Sequence, residues 1–192
     1  MTGGRWLFIA VLLVAGAVIG AAGVIASVEI DRYTSTDAFC ASCHTMATLA
    51  TDPHYVQSPH HANAEGVRAS CGDCHIPATS WFAETYAHAV SGIKDVFAEA
   101  THHYSDPAVW EARRVELAHA VREEMRRDDS VTCRHCHEAG AIKPASEQGR
   151  AAHALLSEGR LTCIDCHFNL VHAPVPPSMS FIRASGLGAP GK

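Results

Sequence analysis

All eight cysteines of this 192-residue chain belong to four copies of one five-residue signature, Cys-x-x-Cys-His. Two cysteines three residues apart reach the two vinyl groups on one edge of a haem and form thioethers, and the adjoining histidine then binds the iron. The sequence therefore predicts four covalent c-type haems. Their attachment residues are Cys40, Cys43, Cys71, Cys74, Cys133, Cys136, Cys163 and Cys166, and their proximal iron ligands are His44, His75, His137 and His167.

Other uses of paired cysteines explain this pattern less well. A structural zinc site also contains Cys-x-x-Cys pairs, but zinc does not require a histidine directly after each second cysteine. A thioredoxin-like motif or a disulfide framework would leave the four histidines unexplained. The formal net charge of -5 argues against nucleic acid as a partner.

The length of the chain limits the kind of hydrophobic core that it can form. Few residues remain for each of four haems, so a conventional aliphatic core is excluded and the haems are expected to form most of the core. We expect a mainly α fold: a single N-terminal transmembrane helix followed by a haem-packed domain of short helices and loops.

The membrane anchor is predicted within residues 1–28. The segment from Trp6 to Val28 carries no charge and would measure about 35 Å as a helix, against about 30 Å of hydrocarbon. Arg5 precedes this segment while Glu29 and Asp31 follow it, which predicts a cytoplasmic N-terminus and an exported haem domain. The expected location is the bacterial inner membrane, with the haems on the periplasmic side.

Two further interpretations of the apolar segment remain open. A secretory signal could be cleaved after Ala26, although signal cores are usually shorter, about 7 to 15 residues. Gly16 and Gly20 form a GxxxG pattern through which two such helices could dimerise.

An internal repeat divides the haem domain, predicted over residues 29–174, into two dihaem modules. Cys71 follows Cys40 by 31 residues and Cys163 follows Cys133 by 30. The modules are assigned to residues 38–78 and 131–173, and residues 79–130 join them. From residue 175 to 192 the chain is rich in Pro, Gly, Ser and Ala, which predicts a flexible tail.

Three longer helices are predicted between and within the modules. They cover Trp81 to Tyr104, Pro107 to Arg127 and about Ser146 to Glu158. The charged residues from Glu111 to Arg127 indicate a solvated helix face, with a docking surface for a partner as the alternative.

Three histidines are the best candidates for sixth iron ligands. His60 and His153 each follow the first cysteine of their module by 20 residues, and His172 lies just past the last motif. His61 could replace its neighbour His60. The other histidines are expected to face solvent or bind haem propionates; they are His54, His88, His102, His103, His119 and His135.

The first motif extends to Cys-Ala-Ser-Cys-His-Thr-Met, ending at Met46. Spacing alone leaves Met46 equally open to a packing role. With the stretches 66–77, 132–137 and 159–172, however, this motif resembles the NapC/NirT/NrfH family of membrane-anchored tetrahaem quinol dehydrogenases, and the resemblance covers residues 5–174. It implies that the first haem lies near the membrane, faces the quinol and has Met46 as its axial ligand.

The chain departs from this family after the second motif. Members usually carry lysines there near the quinol head group, whereas residues 78–86 contain none. Lys94 and Asp95 are the nearest substitutes for a quinol site, and an ordinary exposed pair is the alternative.

The resemblance implies electron transfer from the quinol pool to a periplasmic redox partner protein. Two other functions remain open: the same electron path in reverse, from a periplasmic donor to quinone, and a small catalytic multihaem reductase.

Overall fold

The computed structural model describes residues 3–77, 79–102, 104 and 106–186. These residues form helices and loops, and no strand occurs among them, so the mainly α prediction is confirmed. The helices in chain order are α1 (Gly3–Thr34), α2 (Asp37–Cys40), α3 (His44–Ala50), α4 (Pro53–Val56), α5 (Cys71–His75), α6 (Trp81–Thr101), α7 (Pro107–Arg127), α8 (Val131–Cys136), α9 (Glu147–Ser157), α10 (Cys163–Cys166) and α11 (Met179–Ser185), with a 3-10 turn over Ala139–Ala141.

Helix α1 fits a membrane anchor. Its 32 residues include a window of mean hydropathy 2.7 in which no residue is buried. The helix does not end with the apolar segment, because Glu29, Asp31 and Arg32 continue it to Thr34. Six further residues add about 9 Å at 1.5 Å per residue. The boundary predicted after residue 28 therefore lies inside one continuous helix.

Three of the four haem-attachment motifs lie in short helices, and the first lies between α2 and α3. Helices α5 and α10 contain their whole Cys-x-x-Cys segment, and α8 ends on Cys136. Residues i and i+3 of a helix lie on the same face, so the two cysteines of such a motif project to one side. A single helical turn thus presents both sulfurs to one edge of a haem.

The same local interaction starts α5 and α10. The side chain of Ser70 accepts the Asp73 backbone N–H, and the Asp73 carboxylate accepts the Ser70 N–H at 2.7 Å. Thr162 and Asp165 form the equivalent reciprocal pair at the start of α10. Such a capping box satisfies two backbone donors that the first turn of a helix would leave free.

A second interaction recurs in the two modules, three residues before the first cysteine of each. Asp37 Oδ1 accepts the Cys71 backbone N–H at 2.7 Å. Ser130 Oγ accepts the Ile164 backbone N–H at 3.1 Å. In each module, therefore, the segment that leads into the first motif also holds the beginning of the second.

Asp37 makes the first of these contacts dependent on pH. Burial alone would raise the pKa of its carboxyl, but hydrogen bonds from Cys71, Tyr55 and Arg68 lower the pKa from 3.8 to about 2. A lowered pKa gives stability that is fully present above the unfolded value near pH 4 and is lost as the pH falls toward 2. At about 1.4 kcal/mol per pKa unit, we expect about 2 kcal/mol at pH 7.

Urea unfolding of the wild type and of Asp37→Asn at pH 7 and pH 2.5 measures this contribution. The wild type should lose more stability than the variant between the two pH values. The variant Ser130→Ala removes the corresponding hydrogen bond of the second module, in which neither group is charged. Its free energy of unfolding should therefore lie below that of the wild type by the same amount at both pH values. Identical acid sensitivity of the wild type and Asp37→Asn would contradict the assignment.

The C-terminal segment differs from its prediction. Residues 175–186 pack against α7 and α10 rather than forming a flexible tail, and residues 187–192 lie outside the described part. Val175 is buried, and Phe181 is 1% exposed with its ring edge-on to Phe168 at 5.6 Å. Two apolar side chains in a polar, proline-rich segment leave no periodic pattern, which is why the sequence did not reveal this docking.

Arginines of α7 bind this segment and the residues just before it. The prediction that the charged residues from Glu111 to Arg127 form a solvated face is therefore wrong for these arginines. Arg114 donates to the carbonyl of Ala173 at 2.8 Å, and Arg122 donates to that of Val175 at 2.8 Å. Arg126 donates to the Ala184 carbonyl at 2.7 Å. The carbonyls of an irregular segment need donors, and a row of guanidinium groups supplies them.

Candidate functional site

The four motif segments form a connected series. The hydrogen bond from Cys71 to Asp37 joins the second motif to the residues just before the first. Helices α5 and α8 pack together and join the second motif to the third. The hydrogen bond from Ile164 to Ser130 joins the fourth motif to the residues just before the third. The attachment segments therefore follow one another in space in the order of the sequence.

The polypeptide has little apolar core of its own around these segments. Among the described residues, the buried apolar side chains are Tyr55, Ile164, Val175 and Phe181. All eight cysteines are free of disulfides, as thioether attachment requires. The packing and the cysteines both fit haem at these motifs.

Three proximal histidines each have the ring of a second histidine nearby. The ring centroids of His75 and His172 are 6.2 Å apart. The pairs His60 with His137 and His153 with His167 are both 6.1 Å apart. These second histidines are the three that the sequence singled out.

The separation of the rings suits one metal ion between them. A bond from a metal ion to an imidazole nitrogen is about 2.0 Å, and the nitrogen lies about 1.1 Å from its ring centroid, so two rings on one ion have centroids about 6.2 Å apart. All three observed distances agree with this value. The residues present therefore fit six-coordinate haem iron.

Two of the rings also show the chemistry of metal ligands. His153 Nδ1 lies 2.8 Å from the Gly149 carbonyl, and because a carbonyl only accepts, Nδ1 carries the proton and Nε2 keeps its lone pair. Burial lowers the pKa of His172, which favours its neutral ring, the form that binds metal.

His60 and His61 occupy different surroundings. The His60 ring lies against His137, as above. The His61 ring packs edge-on to Tyr55 with centroids 4.6 Å apart, and its Nδ1 donates to the Val56 carbonyl at 3.2 Å. The structure therefore brings His60, and not His61, beside a proximal histidine.

The first motif differs from the other three. Met46 is half-buried in α3, two residues after His44, whose side chain lies outside the described part of the structure. Thr45 donates through its hydroxyl to Glu99 of α6 at 2.9 Å. Helix α6 therefore contacts the segment that directly follows the first Cys-x-x-Cys-His motif.

The two residues predicted for a quinol site lie one turn before Glu99. A hydrogen bond with Cys71 lowers the pKa of the Cys40 thiol to about 7, and Asp95 lies close enough for its charge to oppose that shift; Asp95 and Lys94 are both exposed. Packing around the Asp95 carboxyl raises its pKa; Lys94 opposes this shift and Glu99 adds to it. A carboxylate with a raised pKa is a better proton acceptor than an ordinary aspartate.

Asp31 and His88 form a polar contact that the sequence did not reveal. Asp31 is buried in α1, with Oδ1 3.4 Å from His88 Nδ1 and Oδ2 accepting the Thr85 hydroxyl at 3.1 Å. His88 Nε2 lies 3.2 Å from the Ser35 hydroxyl. His88 was expected to face solvent or bind a haem propionate, but its side chain is only 14% exposed and lies against Asp31. In the sequence, the polar residues that follow the apolar segment of α1 were the available signal, and they do not indicate which residue contacts Asp31.

Four thioether motifs, three histidine pairs and an outward-facing apolar helix define a membrane-type multihaem c-type cytochrome, a class that transfers electrons. The chain belongs to the NapC/NirT cytochrome c family, whose N-terminal region matches residues 4–177. No solved structure matches this chain.

Named relatives agree with the family. A probable tetraheme cytochrome c-type protein of Nitrosomonas europaea is 36% identical over 179 residues, 90% of this chain and 72% of that protein. The denitrification system component NirT of Stutzerimonas stutzeri is 35% identical over 141 residues, 72% of this chain and 69% of NirT. The cytochrome c-type protein TorC of Escherichia coli is 36% identical over 171 residues, 88% of this chain but 43% of TorC. The chain thus spans less than half of this longer relative.

Proposed function

We propose that the protein oxidises quinol at the membrane and passes the electrons through four c-type haems to a periplasmic oxidoreductase. The observation that carries this proposal is the series of four attachment segments, which begins just beyond the membrane helix. Cys40 follows the end of α1 by six residues, so the first haem is held close to the bilayer surface. A substrate that dissolves in the bilayer, such as a quinol, can therefore reach the first haem more easily than the other three.

Six-coordinate iron is proposed at every motif. His172, His60 and His153 complete the irons bound by His75, His137 and His167, and Met46 completes the iron of His44. The three ring separations near 6 Å support the histidine pairs. The assignment of Met46 as a ligand is based on its position in the extended first motif. Because axial ligand identity is a main control of haem potential, the first haem should differ from the other three.

The polar face of α6 suits the proton chemistry of quinol. Oxidation releases two protons together with two electrons, and each bound haem supplies a one-electron acceptor. Asp95 and Glu99 lie one turn apart on α6, beside Cys40 and Thr45 of the first motif. We assign proton acceptance to Asp95, with Lys94 as its exposed neighbour.

The expected location of the domain and the names of the relatives support the proposed direction and partner. Arg5 before the anchor and the acidic residues after it favour a cytoplasmic N-terminus and a periplasmic haem domain. A relative named as a component of a denitrification system supports delivery of electrons to a respiratory oxidoreductase.

Reduction by a lipid-soluble quinol analogue tests the proposal. In holoprotein reconstituted into vesicles, Asp95→Asn should slow haem reduction about tenfold, less than the usual contribution of a general base because water reaches an exposed site. Met46→Leu should slow the same step, because it changes the ligand set of the first haem.

Two controls make the result specific. Dithionite should still reduce all haems in both variants. Glu65→Gln, on an exposed loop between the first two motifs, should react like the wild type. Unchanged quinol-dependent rates in both Asp95→Asn and Met46→Leu would remove the first haem as the entry site and favour the reversed direction.

A further inference from the structure

Three polar residues of α6 face the protein. Thr85 and His88 contact Asp31 of α1, and Glu99 accepts a hydrogen bond from Thr45. These three residues of α6 recur at helical spacing and so share one face. An ordinary surface helix of a soluble protein does the opposite, because its polar face points to water.

A different face of α6 is apolar and uncovered. Phe82, Tyr86, Ile93, Val96 and Phe97 are each between 66% and 76% exposed. Phe82, Tyr86, Ile93 and Phe97 follow one another by four, seven and four residues, so they form a single stripe along the helix. Soluble surfaces rarely expose a contiguous apolar patch of this kind without an interaction partner.

The position of the stripe beside α1 identifies the partner as lipid. Asp31 lies three residues beyond the apolar segment, about 4.5 Å along the helix, and it is the residue that α6 contacts through Thr85 and His88. Phe82 and Tyr86 lie within one turn of these contacts, at the depth where aromatic side chains concentrate in membrane proteins. The end of the apolar segment of α1 and the first turns of the α6 stripe therefore lie near each other.

We propose that α6 is a second membrane contact: an interfacial helix whose apolar stripe enters the outer leaflet beside α1 while its polar face contacts the segment that directly follows the first haem motif. The ligand is phospholipid, bound at the boundary between head groups and acyl chains. This proposal rests on the anchor assigned to α1 and does not require quinol to be the substrate.

Labelling by a phospholipid with a photoreactive group on its acyl chain tests the contact. In vesicles that contain the holoprotein, peptides from α1 and from Phe82 to Phe97 should carry the label, as read by mass spectrometry. Helix α7 has the same length of 21 residues, is charged, and contacts the C-terminal segment, so it serves as the internal control and should remain unlabelled.

A pair of variants separates lipid contact from other causes. Ile93→Gln with Phe97→Gln should remove most of the α6 label and leave the α1 label and the haem spectrum unchanged. Val109→Gln on α7 should change nothing. Label on α1 alone would overturn the proposal, and so would a chemical cross-link between two copies through α6, which would make the stripe a protein interface. If the wild-type holoprotein carries the α6 label but is not reduced by the quinol analogue, the proposed function is overturned and the lipid contact stands.

Discussion

Replacing His60 with alanine should convert one haem from low-spin to high-spin, whereas replacing the adjacent His61 should change none. The physical reason lies in the surroundings of the two rings. The His60 ring is 6.1 Å from that of His137, and the His61 ring is engaged by Tyr55 and the Val56 carbonyl. Removing an axial ligand opens one coordination position and weakens the ligand field of that iron.

Electron paramagnetic resonance of the oxidised holoprotein measures this change. A high-spin signal from one haem, with the other three unaltered, is the expected spectrum of His60→Ala. His153→Ala should give a similar signal from a different haem. A high-spin signal in His61→Ala, with none in His60→Ala, would reverse the assignment and show that the neighbouring histidine binds the iron.

Asp165→Asn should destabilise the protein by about 3 kcal/mol, while Asp73→Asn, at the equivalent position of the first module, should cost at most about 1 kcal/mol. Both aspartates cap their own haem-motif helix. Asp165 is also fully buried and accepts Arg126 Nε at 2.9 Å, whereas Asp73 is exposed. Breaking a buried ion pair leaves a charge without its partner, which is the larger effect.

Denaturant unfolding of the three holoproteins, followed through the haem absorbance, compares these effects. Arg126 keeps 30% of its side chain exposed, so water can solvate part of the guanidinium in Asp165→Asn. The double variant Arg126→Gln with Asp165→Asn should therefore be little worse than Asp165→Asn alone. Equal losses for Asp73→Asn and Asp165→Asn would show that capping, and not the ion pair, accounts for both.

The sequence predicted the parts of this fold that depend on local signals. The attachment motifs, the apolar helix and the helix over Pro107–Arg127 each follow from spacing, composition or a cap such as Asp106. Helix α6 was predicted three residues too long, because a run of alanines and aromatics gives no sharp end before Thr101.

The contacts between segments that are distant in the sequence could not be predicted in the same way. From the sequence alone, the arginines of α7 indicate a solvated face. Only the structure shows that carbonyl groups of the C-terminal segment accept hydrogen bonds from them. The burial of Asp31 likewise depends on Thr85 and His88, which a single sequence does not connect to it. Such pairings are properties of the assembled chain rather than of any local pattern.

Two of the three histidine pairs cross between the modules, and this has a consequence for biogenesis. His60 of the first module meets His137 of the second, and His172 of the second meets His75 of the first. On the proposed ligation, each module would complete one of its two irons with its own residues and the other only with a histidine of the other module. The haem attached at Cys71 and Cys74 must wait for the last motif to be translocated and matured before its sixth position closes.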